Sequence, residues 1–282
     1  MVAFVNDQFI AEEKAVLGIG DLSIQRGYGI FDFFRTRNFV PLFLNDYLDR
    51  FFKSASALRL QPPYNKAALK EIVAELIRRN DLSESGFKMI LTGGYSIDGF
   101  APAPSNFIIT QQAVQLSSSE DFEKGLRIIL HNYLRDLPGT KSINYLMAIY
   151  LSEKVQQQRA DDVLYYNQGL VLEFPRSNVF IVTKNNTVVT PVDNVLHGIT
   201  RMKVLELAAK NYPVEQRAVS VDELKDAAEV FLTSTTRRIL PVLQVDDITI
   251  ANGQPGVVTR FLYESFLQME ETVIYDGEAA VK

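Results

Sequence analysis

The amino-acid sequence predicts an α+β protein of two domains, a small α+β N-terminal domain and a larger strand-rich C-terminal domain. Three observations lead there. The chain has 282 residues, 47% of them hydrophobic, enough for one large core or two moderate ones. Strand-like runs outnumber helical ones and do not alternate strictly with them, which argues against a doubly wound parallel sheet. The polar run Gln115–Asp121 is the composition shift that reads as a linker. Residues 1–115 are therefore assigned to the first domain, 116–120 to the linker and 121–282 to the second.

Taken in order, Ala3 to Asn6, Gln8 to Ile10 and Gly29 to Thr36 read as strands bounded by turn residues. Leu48, Phe51, Phe52, Ala55 and Leu58 recur at helical spacing and predict a helix from about Asn45 to Leu58, with Asn45 or Asp46 as its cap. A second helix, Lys66 to Arg79, follows Pro62-Pro63, and strands at Phe87 to Leu91 and Asn106 to Gln111 complete the half. Beyond the linker come a strand at Leu126 to His131, a loop through Pro138-Gly139 and a helix after Lys141 with Ser142 as its cap. Short strands follow at Val163 to Tyr166, Val171 to Glu173, Val179 to Val182 and Thr187 to Val189. A helix at Ile199 to Lys210, strands at Val230 to Thr233 and Leu240 to Asp246, and a helix at Val258 to Met269 end the chain.

Composition narrows the function. Lys plus Arg number 29 against 34 Asp plus Glu, a net charge of -5, so there is no basic bias of the kind that collects nucleic acid or anionic lipid. A small-molecule function is expected. The N-terminus lacks a basic segment leading into an apolar run, and no apolar stretch approaches the roughly 20 residues of a membrane helix, so a cytoplasmic protein is expected. With no cysteine and only His131 and His197, thiolate chemistry is excluded and no metal site is expected.

Two runs bear chemistry: Lys141-Ser142-Ile143-Asn144-Tyr145, and Glu173-Phe174-Pro175-Arg176-Ser177-Asn178-Val179-Phe180. A lysine able to form a Schiff base and a carboxylate able to keep a pyridinium nitrogen protonated are the groups a pyridoxal phosphate enzyme needs most. Read singly, Lys141 is an ordinary surface lysine and Glu173 a strand-end glutamate facing solvent. Downstream, His197-Gly198-Ile199-Thr200-Arg201 opens a helix and Thr233-Ser234-Thr235-Thr236 follows a strand. Locally these are a helix start and a hydroxyl-rich turn, and helix N-termini offer unpaired amides to anions.

In this order the runs resemble the fold-type IV, or class IV, aminotransferases, the group that contains D-amino acid aminotransferases, branched-chain aminotransferases and aminodeoxychorismate lyase. The resemblance extends from about Asp21 to Asp246. It implies pyridoxal 5'-phosphate held between the two domains of a D-amino acid aminotransferase-like fold. Lys141 would be the Schiff-base lysine and general base, with Glu173 at the ring nitrogen. Ile199, Thr200, Thr235 and, more weakly, Thr236 would lie on the phosphate side. Arg50, in Leu44-Asn45-Asp46-Tyr47-Leu48-Asp49-Arg50-Phe51, matches the family's phosphate arginine, although Tyr47 and Phe51 stand where histidine and leucine are usual. It also implies a homodimer whose partner chain contributes to the substrate side.

The substrate side departs from the pattern. Gly27-Tyr28-Gly29-Ile30-Phe31-Asp32-Phe33 resembles the family's pocket strand, with Phe31 as a lining residue, but differs at Tyr28 and Asp32. Strand alternation carried back to Arg26 would put that residue at the pocket. The arginine and histidine with which well-known D-amino acid aminotransferases hold the substrate carboxylate are missing from Gly93-Gly94-Tyr95-Ser96-Ile97-Asp98-Gly99-Phe100. A desolvated carboxylate needs a cation, and Arg26 and Arg176 are the candidates. The favoured reaction moves an amino group between a D-amino acid and a 2-oxo acid. Branched-chain L-amino acids come second, with Phe31, Phe33, Tyr95 and Phe100 as available aromatics. The lyase is third, because Phe33 stands where its proton-relaying threonine is expected.

Overall fold

Val2–Val5 (β1) turns at Asn6, whose φ of 57° is tolerated by its short polar side chain, and returns as Gln8–Ala11 (β2). This computed structural model describes residues 1–281, with side chains as far as Tyr275. The chain divides into two compact units. One holds Met1–Val114, Thr140–Asn144 and the chain from Thr272, and the other holds Gln115–Gly139 and Tyr145–Glu271.

The first unit continues with Leu22–Arg26 (α1), Gly29–Arg37 (β3), Val40–Pro41 (β4), Leu44–Ala57 (α2), Lys66–Asn80 (α3), Ser85–Thr92 (β5) and Phe107–Ala113 (β6). Among the described residues its sheet has the order β2-β1-β6-β5-β3-β4 and is antiparallel throughout. In β3, Asp32 and Phe34 are fully buried while Phe31 and Phe33 alternate onto the other face and are half-buried. Phe34 stacks on Phe87 of β5 at 5.0 Å and meets Tyr47 of α2 at 6.0 Å. Helix α3 begins where Asn65 Oδ1 accepts the Ala68 amide.

Asp21 ties this unit together. Fully buried, it accepts hydrogen bonds from the Ser23 amide, Thr92 Oγ1 and Asn106 Nδ2, each at 2.7 Å, and so caps α1 while joining β5 to the start of β6. Burial by itself would raise its pKa, but the hydrogen bonds from Ser23, Thr92 and Asn106 outweigh it and leave the carboxyl below its ordinary value. The stabilisation is therefore present above the unfolded carboxyl's pKa and is lost as pH falls through the folded one. Asp21→Ala should destabilise the protein by about 2–4 kcal/mol at neutral pH, because three buried donors lose their acceptor, and by less in acid. Thermal melts of both proteins from pH 7 to pH 3 check this, and a difference that does not shrink in acid would contradict it.

The second unit contains Ser119–Lys124 (α4), Leu126–Asn132 (β7), Leu146–Tyr150 (α5), Ser152–Gln157 (α6), Asp162–Asn167 (β8), Leu170–Val171 (β9), Asn178–Val182 (β10) and Val188–Thr190 (β11). It goes on through Ile199–Ala208 (α7), Val214–Gln216 (β12), Val221–Lys225 (α8), Glu229–Ser234 (β13), Arg238–Val245 (β14), Ile248–Thr249 (β15) and Val257–Val281 (α9), whose last part is grouped with the first unit. The sheet order is β12-β11-β10-β13-β14-β7-β8-β9, with β15 on β14, and it is mixed: β7 runs parallel to both β14 and β8. Every residue of β10 is buried, and Phe180 stacks on Phe231 of β13 at 4.9 Å.

Four local expectations differ from the structure. Helix α2 starts one residue early, at Leu44, and is entered through Phe43 in the left-handed region, not through a polar cap at Asn45 or Asp46. Ser142 caps no helix. The Phe31 amide donates to the Lys141 carbonyl at 2.9 Å and the Ile143 amide to the Gly29 carbonyl at 3.1 Å, so this segment pairs with β3 and the helix waits until Leu146. The polar run after Gln115 ends in helix α4, whose Ser118 and Asp121 form a reciprocal capping box. Arg26 is the last residue of helix α1, followed by Gly27 at φ 64°, so strand alternation does not extend back to it.

Candidate active site

In the first unit, Lys141 is held by its backbone. Its carbonyl is paired to β3, and its amide donates to Ser54 Oγ of α2 at 3.2 Å. Gly29 permits this approach, since a Cβ there would lie 3.1 Å from Ile143 Cδ1 and 2.9 Å from the Leu91 carbonyl oxygen. The half-buried side chain carries Nζ to 4.5 Å from the centre of the Phe31 ring, a cation–π contact that orients the amine. The structure thus brings together two of the residues singled out in the sequence.

Arg50 lies on the face of α2 that meets β3. Its Nε and Nη2 donate to Asp32 Oδ2 and Oδ1 at 3.0 and 2.6 Å, and its guanidinium stands 5.2 Å from the Tyr47 ring centre. A two-bond clasp with a fully buried carboxylate fixes the plane of the fork more firmly than a single contact would. Asp32, at a position where the sequence departs from the family pattern, is the residue that orients Arg50.

The loop 93–104, in the same unit, carries Asp98, whose carboxyl is pulled down to about 2 by the Ala101 and Phe100 amides and the Ser96 hydroxyl. Those bonds turn the chain tightly through Gly99 at φ 72°. Arg26 is exposed, and its Nη2 lies 3.8 Å from the point where a Gly99 side chain would begin. An arginine from α1 therefore stands against the loop that lacks its own. Tyr95 accepts the Gly18 amide at 3.0 Å, and Phe100 is exposed.

In the second unit, Glu173 follows β9 and bridges to Asn178 at the start of β10. It is 4% exposed. Arg135 Nε donates to its Oε1 at 2.8 Å, Nη2 stands 2.6 Å from the same oxygen, and the Leu196 amide donates to Oε2 at 2.9 Å. Arg135 also donates to the Pro138 carbonyl. A buried carboxylate clasped this way is fixed in position, as a group that meets a pyridine nitrogen must be. Sequence reasoning does not single out Arg135, because an arginine upstream of Lys141 has no local signature.

Also in the second unit, Ile199 and Thr200 are buried in the first turn of α7. The helix has Gly198 as its N-cap and no side-chain cap, so its first-turn amides are open to an anion. Asn178, another residue the sequence leaves unmarked, spans this turn: Nδ2 donates to the Leu196 carbonyl at 2.6 Å, and Oδ1 accepts the Gly198 amide at 3.1 Å. Gly198 is required there, since a Cβ would lie 2.3 Å from Asn178 Oδ1. Thr235 and Thr236 are half-buried in the turn between β13 and β14, and Arg176 is exposed after Pro175.

The donor set suits pyridoxal phosphate. The first unit offers a held amine, and the second offers a buried clasped carboxylate and an uncapped helix start, the kinds of group that an aldehyde, a pyridine nitrogen and a phosphate call for. Among the described residues the buried hydroxyls of Ser177 and Thr233 have no partner, which also accords with a polar ligand.

Similarity to known proteins bears on the same question. Residues 29–245 match the family described as amino-transferase class IV. The chain is 30% identical to the D-alanine aminotransferase of Bacillus licheniformis over 269 residues, covering 92% of this chain and 94% of that one. It is also 30% identical to the D-alanine aminotransferase of Listeria monocytogenes serotype 4b over 286 residues, covering 99% and 98%. The branched-chain amino acid aminotransferase of T.th., solved with pyridoxamine 5'-phosphate, shares the fold with a TM-score of 0.88 at 24% identity, covering 95% and 93%. With a family match across most of its length and relatives of the same kind end to end, the chain belongs to the class IV aminotransferases, enzymes that depend on pyridoxal phosphate.

Proposed function

We propose that this enzyme moves an amino group between a D-amino acid and a 2-oxo acid such as 2-oxoglutarate or pyruvate. The observation that carries the choice is Arg26 against Gly99, 3.8 Å from where a side chain would begin in a loop without its own cation. Arg176 is the second candidate for a carboxylate, since it replaces a small residue of the family pattern on the Glu173 segment. The full-length relatives named as D-alanine aminotransferases support the same substrate class.

When bound, the cofactor supplies a carbonyl that takes the amino group and a ring that accepts electrons. Lys141 Nζ is the amine that would hold it, and the same amine would serve as the base that takes and returns the proton at the substrate α-carbon. Glu173 keeps the ring nitrogen protonated. Arg50, the amide of Ile199, the amide and hydroxyl of Thr200, and the hydroxyls of Thr235 and Thr236 would hold the phosphate. Phe31 orients Lys141 and lines the substrate side. The enzyme acts as a homodimer: Ile19, Ile97 and Phe100, all on the first unit, are 84%, 106% and 82% exposed, and exposed apolar side chains of this kind mark contact surfaces. The cytoplasm, where amino acids and 2-oxo acids are both abundant, is its compartment.

Branched-chain L-amino acids are the second reading, favoured by Phe31 and Phe33 on one face of β3. Adding D-glutamate, D-alanine, L-leucine and L-glutamate separately to the purified enzyme, while following the visible band of the bound cofactor, separates the two. A change with D-amino acids alone supports the first reading, and a change with L-leucine supports the second. A band that no amino acid alters would point to the lyase. Arg26→Ala and Arg176→Ala should each raise KM for the amino acid about tenfold or more with the cofactor band unchanged. An unaltered KM in both would end the assignment of these arginines to the carboxylate.

A further inference from the structure

Arg201 occupies the first turn of α7, where the helix dipole disfavours a cation, and is 3% exposed. Its Nη2 donates to two neutral acceptors, the Pro191 carbonyl at 3.0 Å and Gln216 Oε1 at 3.1 Å. Among the described residues its guanidinium has no carboxylate partner, and its buried Nε has no acceptor. Burial lowers its pKa to about 10, so the charge persists at neutral pH. A buried cation without a counter-charge is costly, and natural structures retain one where an anion balances it.

Two more observations point to the same missing anion. The amides of Ile199, Thr200 and Arg201 have no intrahelical acceptor, and Gly198 offers no side chain to cap them. Thr233 of β13 is in register with Asn178 of β10, so the two side chains share a face of the sheet, and Asn178 reaches the α7 N-cap on that face. Thr233 Oγ1, in a residue 2% exposed, has no hydrogen-bond partner among the described residues. An uncapped helix start, a buried hydroxyl and a buried guanidinium all lack one negative group.

We propose that Arg201 is a positioning residue for the cofactor phosphate: its buried charge acts through the first-turn amides of α7, which make the contacts, and sets the affinity for the dianion without touching it. This rests on the reading of Ile199 and Thr200 as phosphate contacts. Arg201 thereby adds a fixed cation to the phosphate side of the second unit, distinct from Arg50 in the first.

The test compares binding of pyridoxal 5'-phosphate and of pyridoxal, which lacks the phosphate, to the full-length apoprotein. Arg201→Met and Arg201→Gln should weaken pyridoxal phosphate binding about tenfold and change pyridoxal binding by less than about twofold. Arg201→Lys, which keeps the charge but not the fork, should recover most of the loss. The methionine variant should melt no lower than wild type without ligand, since it removes an unbalanced buried charge. Equal loss for both ligands, unchanged pyridoxal phosphate binding, or a lysine variant as weak as the neutral ones would overturn the proposal. Thr200→Val serves as the control. A selective loss there without one at Arg201 would leave the phosphate placement standing and remove Arg201 from it. No selective loss at either position would remove both.

Discussion

Lys141→Ala should lower turnover by about a thousandfold or more and abolish the visible band of the bound cofactor. Two roles fall on one atom. In the mechanism proposed above the amine that holds the cofactor is also the base at the substrate α-carbon, so its removal would take away both the covalent link and the proton carrier. The backbone pairing of Lys141 with β3 and its amide bond to Ser54 do not involve the side chain, so the variant should fold and melt within a few degrees of wild type. Nζ rests on the Phe31 ring at 4.5 Å, and truncation vacates a space beside an aromatic face into which a small primary amine can diffuse. Millimolar methylamine should therefore restore part of the activity. Measured turnover within tenfold of wild type, with folding intact, would show that another residue is the nucleophile.

The second large effect is expected at Glu173. Glu173→Gln keeps the size of the side chain and an acceptor oxygen but loses the charge proposed to hold a proton on the ring nitrogen, so kcat should fall about a hundredfold. The cost also reaches the fold, because Arg135 is then buried against an amide. Arg135→Met tests the pair from the other side. It strips the guanidinium from a carboxylate that is 4% exposed, and should destabilise the protein by about 3–5 kcal/mol. Steady-state kinetics and thermal melts on both variants separate the two contributions. A glutamine variant with unchanged kcat would mean that ring protonation does not depend on Glu173.

Much of this architecture was legible in the sequence because it is encoded locally. The alternation of β3, the break between strands after Asn6, the start of α3 at Lys66 and the start of α7 at Ile199 are each decided within a few residues. What escaped was either too short to show a period or hidden by composition. Helix α1 has five residues, so Arg26 could be misread as the start of a strand. Helix α4 hid in a serine-rich run, although its capping pair Ser118 and Asp121 was present. Helix α2 is entered through a left-handed Phe43, which no cap preference anticipates.

The sequence by itself determined an α+β chain and the order of most of its strands and helices, because periodicity and turn chemistry act over a few residues; the roles expected of Lys141, Glu173 and the start of α7 came from the resemblance to the class IV aminotransferases. Only the tertiary structure decided the partners. It seats Lys141 on β3 with Ser54, 87 residues away, beneath its amide, clasps Arg50 with Asp32, and brings Arg135 to Glu173 across 38 residues. A side chain's chemistry is written at its own position. Which donor meets it is settled where buried polar groups of the whole unit must all be satisfied at once, and local pattern carries no record of that closure.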